Sequence, residues 1–600
     1  MKKNARFLCL LLTLALLCAG CSVRTPDGTP PQSSAAEDRT ESATRIEAYD
    51  PAGSLPVGAL RRILLVGDPD AAVQAAAALA AEIWNAAGLP SSALRAEPGR
   101  FSEKMAGDLV AIPDPALPKE AFSAVVTESN LYLYYAPGDA RGLLYGAQDL
   151  LRQALQSADS TLPCGELRRV PETAERTMML DCARKQWSVA WVKNLIAQLS
   201  WMGFNALELH MTEEQGMRCN IWRDRAGSPV PDCNGNDFSF LCGGTNVSWN
   251  PDYAEDADAC WCRDDLIEIL DCAARFRIDV IPAVDLPCHC RNLIRRCEAA
   301  EELRFRFRGN EYDAANEPLA ADGSGGNTLN LACGPARDLG LAVTEAYAAF
   351  FKAYGCDRFG IGADEVTAAE GAFADYASQG GGESTLDGCI RYVNELCALL
   401  KGMGYTVRAN NDDLFSESAA IPVDPGLQIC YWLAADRGPG SVQALIDDGR
   451  QLFNCMNSSC YYVLRQSGSG VDARSPACGT WDFHHATAER IYAGCGGGCG
   501  FDDCRSPGGW NPSHLWDYNS RTQTAVTGEH LAGAYFCLWA DWAGLDTEDH
   551  LFFRTDELGL VPRLWASAAK MWDWDAEEAV PWETFEAGLA PVLYSPLIGN

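Results

Sequence analysis

Basic residues are scarce in this sequence. Its 600 residues include 48 Lys and Arg against 81 Asp and Glu, which gives a formal net charge of −33 at pH 7. Proteins that bind nucleic acid use lysine and arginine to displace counterions from the phosphates. We therefore expect no nucleic-acid partner and no polyanionic substrate, and we interpret the excess of acid as favouring solubility.

Long apolar runs are also scarce, and after Leu17 no stretch is long and apolar enough to span a bilayer. Residues 1–6 are basic, and Phe7–Leu17 is apolar but too short to cross a membrane, an order typical of a secretory signal. The signal ends at Cys18-Ala-Gly-Cys21-Ser. This ending resembles a bacterial lipoprotein signal with Cys21 as the lipidated residue, although Cys18 stands where an aliphatic residue is usual.

We therefore predict a signal peptide over 1–21 and a flexible linker over 22–46, which is rich in Ser, Thr, Pro and acids. The protein is expected to be exported to the bacterial cell surface. Its attachment to the membrane is expected to be only the lipid on Cys21. The oligomeric state does not follow from these patterns.

The cysteine spacing matches no closed zinc site. The chain has 26 cysteines, of which Cys9, Cys18 and Cys21 belong to the signal and leave an odd number. Cys288-His289-Cys290 and Cys495-Gly-Gly-Gly-Cys499 are dense groups, but neither has the spacing of a structural metal site. We expect neither a metal nor a cofactor, and we interpret the cysteines inside apolar runs as small hydrophobic residues.

From Arg176 onwards, apolar strand patterns alternate with helical patterns, as a parallel barrel requires. Eight strands are predicted, the number in a (β/α)8 TIM barrel. They are Thr177–Leu180, Ala206–His210, Asp279–Val284, Arg358–Ala363, Tyr405–Ala409, Gln428–Trp432, Tyr461–Leu464 and Gly533–Trp539. The fold class is therefore α/β, with a barrel over 173–600 that ends in helices. A small α/β domain, with helices predicted at Ala71–Ala87 and Arg141–Gln156, precedes it over 47–172.

The fourth predicted strand ends in two adjacent acids, Asp364 and Glu365. In a (β/α)8 barrel the carboxyl ends of the strands carry the catalytic groups. Two neighbouring acids there can have different roles, in which one donates a proton and the other stabilises charge. The alternative is that Asp364 caps the next helix and Glu365 is solvated. Strict strand alternation would also send the two side chains to opposite faces unless the backbone bends.

Other polar and aromatic residues follow the predicted strands at the same rim. Taken singly, each histidine is more often structural and each tryptophan more often part of a core. Collected on one rim, they form a pocket of acids, hydrogen-bond donors and flat aromatic faces suited to a sugar. These residues are His210, Asp285, His289, Trp432, Trp539 and Asp541.

Five motifs in this order resemble glycoside hydrolase family 20, the β-N-acetylhexosaminidases and lacto-N-biosidases. The motifs are Arg176-Thr-Met-Met-Leu-Asp181-Cys-Ala-Arg184, Leu207-Glu-Leu-His210 with the following turn, Ile281-Pro-Ala-Val-Asp285-Leu-Pro-Cys-His289, Phe359-Gly-Ile-Gly-Ala-Asp364-Glu365-Val366 and Ala534-Tyr-Phe-Cys-Leu-Trp539-Ala-Asp541. The resemblance covers most of the chain and implies a glycan or glycoconjugate substrate.

The resemblance implies substrate-assisted catalysis, in which the sugar's own acetamido oxygen is the nucleophile. Asp364 is expected to orient the acetamido group, and Glu365 to act as acid and then base. Arg176 is expected to bind sugar hydroxyls and Tyr462 to hold the acetamido carbonyl. Trp432, Trp539 and Asp541 are expected to line the pocket. His289 and Asp285 are expected either to tune Glu365 or to be purely structural.

Three alternatives stay open at this point. A disaccharide could leave, as in lacto-N-biosidases, in place of a single GlcNAc or GalNAc. The protein could be a surface lipoprotein that binds glycans without cleaving them. It could also be a barrel hydrolase with a protein nucleophile, for which Asp285 or Asp541 is the candidate.

Overall fold

Eight parallel strands form a closed ring in the computed structural model, hydrogen-bonded in chain order with the last strand returning to the first. The model describes residues 46–244, 258–321, 326–366, 384–411, 413–416, 419–432, 441–464, 487–494, 508–517, 522–540, 548–554, 559–573 and 580–598. The ring consists of Glu175–Asp181, Ala206–His210, Asp279–Ala283, Arg358–Gly360, Thr406–Asn410, Gln428–Tyr431, Leu452–Asn454 and Leu531–Trp539. The predicted barrel is thus confirmed.

The first strand shows why the chain forms a barrel. All seven residues of Glu175–Asp181 are buried, as expected of a parallel strand that is covered on both faces. On one side it pairs with the second strand, with Thr177 opposite Ala206. On the other side it pairs with the last strand, with Leu180 opposite Leu538. This second pairing closes the ring and leaves no exposed edge.

The prediction for the seventh strand was wrong in part. Leu452–Asn454 occupies this position and pairs with the start of the last strand. Tyr461–Val463, where the seventh strand was predicted, follows the short helix Asn457–Cys460 and pairs with Cys537–Trp539 on the same edge. The last strand is nine residues long and so offers an edge for two short partners. A three-residue strand is too short to show a periodic pattern.

Helices cover the outside of the barrel, and their ends follow local capping rules. Ser188 accepts a hydrogen bond from the Trp191 N–H at the start of one helix, and Gly203 ends that helix with a φ of 88°. The helices of the barrel region are Val189–Met202, Arg263–Arg275, Arg291–Ala299, Gly334–Ala353, Thr385–Gly402, Val442–Asp447, Ala488–Ala493, Glu548–Phe553, Leu560–Trp572 and Trp582–Leu589. Of the helices in the described part of the chain, none combines the length and apolar character needed to cross a membrane.

The segment before the barrel forms a six-stranded mixed sheet with two helices. In sheet order the strands are Ala96–Gly99, Arg62–Val66, Asp108–Pro113, Leu131–Tyr135, Phe122–Val126 and Gly165–Arg169. The helices are Ala71–Ala86 and Ala140–Gln156, as predicted to within one residue. Residues 48–600 form one compact unit that contains both sheets, and the boundary near residue 172 stays a prediction.

Short strand pairs and single helical turns complete the chain. Three antiparallel pairs join Ser54–Pro56 to Thr161–Pro163, Arg304–Phe307 to Asn310–Asp313, and His514–Asp517 to Thr522–Ala525. Two further pairs join Gly216–Met217 to Gly243–Gly244 and Cys219–Asn220 to Trp261–Cys262. The 3-10 turns are Val57–Ala59, Phe101–Glu103, Ser239–Leu241, Asp413–Phe415 and Gly528–His530.

Candidate active site

The backbone bends sharply where the fourth barrel strand ends. Gly362, Ala363 and Glu365 have φ values of 52°, 67° and 55°, in the left-handed region that non-glycine residues rarely adopt. A side chain at position 362 would collide with the carboxylate of Asp285, so only glycine fits there. The bend breaks the alternation of the strand, and it is the feature that lets two consecutive side chains turn to one side.

Both acids approach the same imidazole. Nε2 of His289 lies 3.8 Å from Oδ2 of Asp364 and 3.5 Å from Oε2 of Glu365. The side chain of Asp364 is 14% exposed and that of Glu365 is 33% exposed. Glu365 is therefore the more accessible of the two acids.

The other side of the imidazole faces two more acids. Nδ1 of His289 lies 3.2 Å from Oε2 of Glu213 and 3.5 Å from Oε1 of Glu214. Burial alone would lower the pKa of His289, but the charge of Glu213 outweighs it and raises this pKa well above the ordinary value. His289 is therefore an imidazolium ion between two pairs of acids.

Asp285 lies directly behind Asp364. Its Oδ1 accepts a hydrogen bond from the Ala363 N–H at 3.3 Å, and its own N–H donates to Oγ1 of Thr212 at 2.7 Å. Burial and the neighbouring charge of Asp364 raise the pKa of Asp285 well above its ordinary value. Burial and Asp364 thus favour the protonated form of Asp285, and the two side chains are hydrogen-bonded to each other.

A buried chain of alternating charges supports these groups. Glu213 lies 2.8 Å from the Arg184 guanidinium and 3.2 Å from Nε2 of His210. Burial would raise the pKa of Glu213, but Arg184 and His289 hold it well below the ordinary value. Arg184 in turn pairs with Asp181 at 3.0 Å. Each buried charge thus has a partner of opposite sign, which is the condition for keeping it ionised.

Flat aromatic rings form one wall of the pocket. The ring of Tyr461 lies parallel to that of Trp432, with centroids 6.1 Å apart and an interplanar angle of 6°. Tyr461 also contacts Trp539 at a centroid distance of 5.6 Å. The edge of His210 meets Trp539 at 5.0 Å, and the Arg184 guanidinium lies 5.3 Å from the same indole ring. Such faces stack on the apolar faces of sugars.

Two predicted substrate-binding residues lie elsewhere. Arg176 is fully buried near the start of the first strand, where it pairs with Glu120 at 2.6 Å and donates to the carbonyl of Gly203 at 2.7 Å. The start of a strand lies at the opposite end of the barrel from the catalytic rim. Arg184, just beyond the end of the same strand, is the arginine at the site.

Tyr462, the other of these two residues, does not line the pocket. The ring of Tyr462 lies under the Arg563 guanidinium at 4.2 Å, on the outer face of the strand. Because neighbouring side chains of a strand point to opposite faces, Tyr461 turns into the barrel beside Trp432 and Trp539. The sequence shows two adjacent tyrosines but not which one faces inward.

The structure brings the remaining predicted residues of the described chain to one rim. They are Asp364, Glu365, His210, Asp285, His289, Trp432 and Trp539. Asp541, Cys21 and the Cys495–Cys499 group lie outside the described residues. Arg184 and Glu213 follow the first two predicted strands and are indicated by the rule that polar residues gather at strand ends. Asn410 directly follows the predicted fifth strand Tyr405–Ala409, so the same rule would have found it.

Two groups of three side chains at this site come close enough to hold a metal, with ligand atoms within 4.8 Å of one another. They are His210, Glu213 and Asp285, and Asp285, His289 and Asp364. A histidine must be neutral to bind a metal, but the pKa values of His210 and His289 are both raised by their acidic neighbours against the effect of burial. The chemistry of these groups therefore favours proton sharing.

The fold and site define a class: a (β/α)8 enzyme with an Asp-Glu pair and a wall of aromatic rings at its catalytic rim. The chain belongs to glycosyl hydrolase family 20, whose catalytic domain matches residues 175–574.

Curated relatives match shorter segments. A beta-hexosaminidase of Akkermansia muciniphila is 29% identical over 178 residues, which cover 29% of this chain and 33% of that protein. A beta-hexosaminidase of Vibrio furnissii is 27% identical over 266 residues, 43% of this chain and 39% of that protein. The chain thus matches two fifths or less of the length of these two relatives.

Solved structures are similar over nearly the whole chain. The β-N-acetylhexosaminidase of Bacteroides fragilis has a TM-score of 0.60 at 17% identity, covering 90% of this chain and 91% of that one. A family 20 exo β-N-acetylglucosaminidase of Vibrio harveyi, in complex with N-acetylglucosamine, also has a TM-score of 0.60, at 18% identity, covering 91% and 75%. At these identities the likeness establishes the fold.

Proposed function

We propose that the protein is an exo-acting, retaining β-N-acetylhexosaminidase that releases terminal β-linked GlcNAc or GalNAc from glycans. The observation that carries the proposal is the approach of Asp364 and Glu365 to one imidazole across a strained bend. Family membership and the names of the relatives support the same activity.

In the first step the carbonyl oxygen of the 2-acetamido group attacks C1, and the bond from C1 to the leaving oxygen breaks. Glu365 gives its proton to the leaving oxygen. Asp364 accepts a hydrogen bond from the acetamido N–H and balances the positive charge of the oxazolinium ion. Asn410 donates to Oδ1 of Asp364 at 3.0 Å, which holds the carboxylate in position. Tyr461 is the tyrosine that faces this group.

In the second step Glu365, now a carboxylate, takes a proton from water as the water oxygen attacks C1. The bond from C1 to the acetamido oxygen breaks and the acetamide reforms. Two displacements at C1 leave the sugar with its original configuration. His289 lies 3.5 Å from Glu365 and stabilises the carboxylate that exists between the steps, while Glu213 keeps the imidazole charged.

A protein nucleophile fits this geometry less well. Asp285, one candidate for that role, is 1% exposed and lies behind Asp364, where burial and the charge of Asp364 raise its pKa. A buried carboxyl group with no access to the sugar does not attack C1. Its supported role is to hold the bend beside Asp364, through the hydrogen bond that it accepts from the Ala363 N–H.

The test is hydrolysis of 4-nitrophenyl N-acetyl-β-glucosaminide by the purified protein. Cleavage that a thiazoline analogue of the oxazoline inhibits competitively is the expected result. Absence of cleavage with retained binding of N-acetylglucosamine would favour the glycan-binding alternative. Chitobiose, a GalNAc glycoside and a lacto-N-bioside, compared at equal concentration, separate single-sugar from disaccharide release.

We also propose that the protein is exported and anchored to the cell surface by a lipid on Cys21. The support is the order of basic, apolar and Cys-containing segments at the N-terminus. Expression of the full chain and of Cys21→Ser, followed by detergent phase separation, tests it. The wild type should enter the detergent phase and the variant the aqueous phase.

A further inference from the structure

A cavity continues from the candidate site into the barrel. Its upper wall contains His210, Asn410, Tyr461 and Trp539, and its volume is about 40 Å³. One buried water requires about 10 to 15 Å³ on this scale, so the cavity has room for roughly three non-hydrogen atoms. Much of its lining consists of small side chains: Ala283, Gly360, Gly362, Ala409, Cys430, Cys455 and Cys537.

The cavity spans two layers of barrel residues. Asn410 and Gly362 belong to the layer that carries Asp364, whereas Arg408 and Gly360 lie two residues earlier on the same strands and also line the cavity. Two residues of a strand cover about 6.5 Å. An acetyl group extends its methyl carbon only about 2.5 Å from the amide nitrogen, since each bond adds roughly 1.5 Å at most. The cavity is therefore deeper than an acetyl group requires.

The walls of this cavity contain buried polar groups that lack a partner. Nε of Arg408 and Nε1 of Trp539 are both buried, and no described residue accepts a hydrogen bond from either. Arg408 is 1% exposed in its side chain and lies at the deeper level. Glu208, also at the cavity, accepts a hydrogen bond from the Tyr535 hydroxyl at 2.7 Å. An unpaired buried donor is costly, and a ligand oxygen would satisfy it.

The orientation of the sugar points its acyl group into this cavity. Asp364, which lies beside Asn410, accepts a hydrogen bond from the acetamido N–H. Tyr461 faces the acetamido group and lies beside Trp539. The carbon chain of the acyl group then extends between Asn410, Tyr461 and Trp539, which are the residues at the cavity mouth. This step rests on the proposed function.

We propose that the site accepts 2-acylamido sugars whose acyl group is longer than acetyl, and that it favours a hydroxyl-terminated acyl group such as N-glycolyl. With the carbonyl at the mouth beside Tyr461, only the two outer atoms of an N-glycolyl group enter the cavity, which has room for roughly three. The hydroxyl oxygen accepts a hydrogen bond from one of the unpartnered N–H groups of the lining, that of Arg408 or that of Trp539. N-propionyl has almost the same size as N-glycolyl but ends in a methyl group. It therefore fits the cavity but accepts no hydrogen bond there.

The experiment compares three 4-nitrophenyl β-glucosaminides that carry N-acetyl, N-propionyl or N-glycolyl groups. We expect kcat/KM for N-glycolyl to lie within about tenfold of N-acetyl, and kcat/KM for N-propionyl to be about tenfold below N-glycolyl, since a hydrogen bond to a charged group contributes about this factor. Losses above about a hundredfold for both longer groups would overturn the proposal. Equal rates for N-propionyl and N-glycolyl would overturn the preference for a hydroxyl.

A cavity-filling variant gives a second readout. Cys430→Met places a longer side chain in the cavity lining, and it should reduce the N-glycolyl to N-acetyl ratio of kcat/KM by about tenfold. Cys397→Met makes the same change in the outer helix Thr385–Gly402, where Cys397 is fully buried, and should leave that ratio unchanged. An equal ratio in Cys430→Met and wild type would contradict the assignment of this cavity. If the N-acetyl glycoside is not cleaved, the proposed function fails. If it is cleaved and the glycosides with longer acyl groups are not, only the proposal about the cavity fails.

Discussion

Nδ2 of Asn410 donates a hydrogen bond to Oδ1 of Asp364 across 3.0 Å. Asn410 ends the fifth barrel strand, and Asp364 follows the end of the fourth. The bond therefore links two neighbouring strands at the catalytic rim, while Oδ2 of Asp364 lies 3.8 Å from Nε2 of His289. Together with Asp285 behind it, Asn410 fixes the position of the Asp364 side chain at the candidate site.

Replacing Asn410 by alanine should lower kcat on 4-nitrophenyl N-acetyl-β-glucosaminide by about tenfold, because a hydrogen bond to a charged group contributes about 1.5 to 3 kcal/mol. KM should change less, because Asp364 acts on charge that develops in the transition state. Asn410→Ser, which keeps a donor, should recover part of kcat. Equal losses in both variants would show that the lost packing of the side chain matters more than the bond.

Asp364→Asn should lower kcat by about a hundredfold to a thousandfold on acetamido substrates, the size expected for loss of one group that stabilises transition-state charge. The fold should persist, because the amide replaces the carboxylate with nearly the same shape. Steady-state kinetics and a thermal melt check both points. Near-normal turnover would eliminate substrate assistance by this residue.

Glu365→Gln should remove the acid and preserve activity best on glycosides with activated leaving groups. General acid catalysis contributes about a hundredfold to ten-thousandfold, and a nitrophenolate needs little of it. Comparing kcat/KM for 4-nitrophenyl N-acetyl-β-glucosaminide and for chitobiose measures the difference. The same loss on both substrates would count against Glu365 as the acid.

The pH dependence follows from the pKa of His289, which Glu213 raises well above the ordinary 6.5 although burial opposes it. A raised histidine pKa contributes stability that is complete below about pH 6.5 and is lost as pH rises through the raised value. Glu213→Gln removes the charge that raises this pKa, so the alkaline loss of Tm and of kcat/KM should begin at lower pH. Glu268→Gln, an exposed acid paired with Arg225, serves as the control and should leave both profiles unchanged.

The two arginines of the first motif should separate catalysis from stability. Arg184 contacts Glu213 and Trp539 at the site, so Arg184→Lys should lower kcat/KM by about tenfold or more, because lysine does not reproduce the planar fork. Arg176 is buried and paired with Glu120, so Arg176→Ala should cost about 3 to 5 kcal/mol of unfolding free energy. Urea denaturation and kinetics per folded molecule measure the two effects. A folded Arg176→Ala protein without activity would reverse this assignment.

The barrel could be predicted because its signals are local. Each apolar strand and each following helix has its own period and its own turn residues, and the alternation of the two implies a parallel sheet. Asp364 and Glu365 could be assigned to the catalytic rim for the same reason, since they directly follow the predicted strand Arg358–Ala363. The exception was Leu452–Asn454, which is too short to show any pattern.

The amino-acid sequence by itself thus determined the fold, the rim and the acidic pair, because these depend on the order of residues along the chain. Only the tertiary structure decided that Tyr461 faces inward in place of Tyr462, that Arg184 serves the site in place of Arg176, and that Asn410 holds Asp364. These choices depend on register and on contacts between distant strands. Gly362 shows the reason most directly: Asp285, which follows the third strand, leaves no room for a side chain at that position.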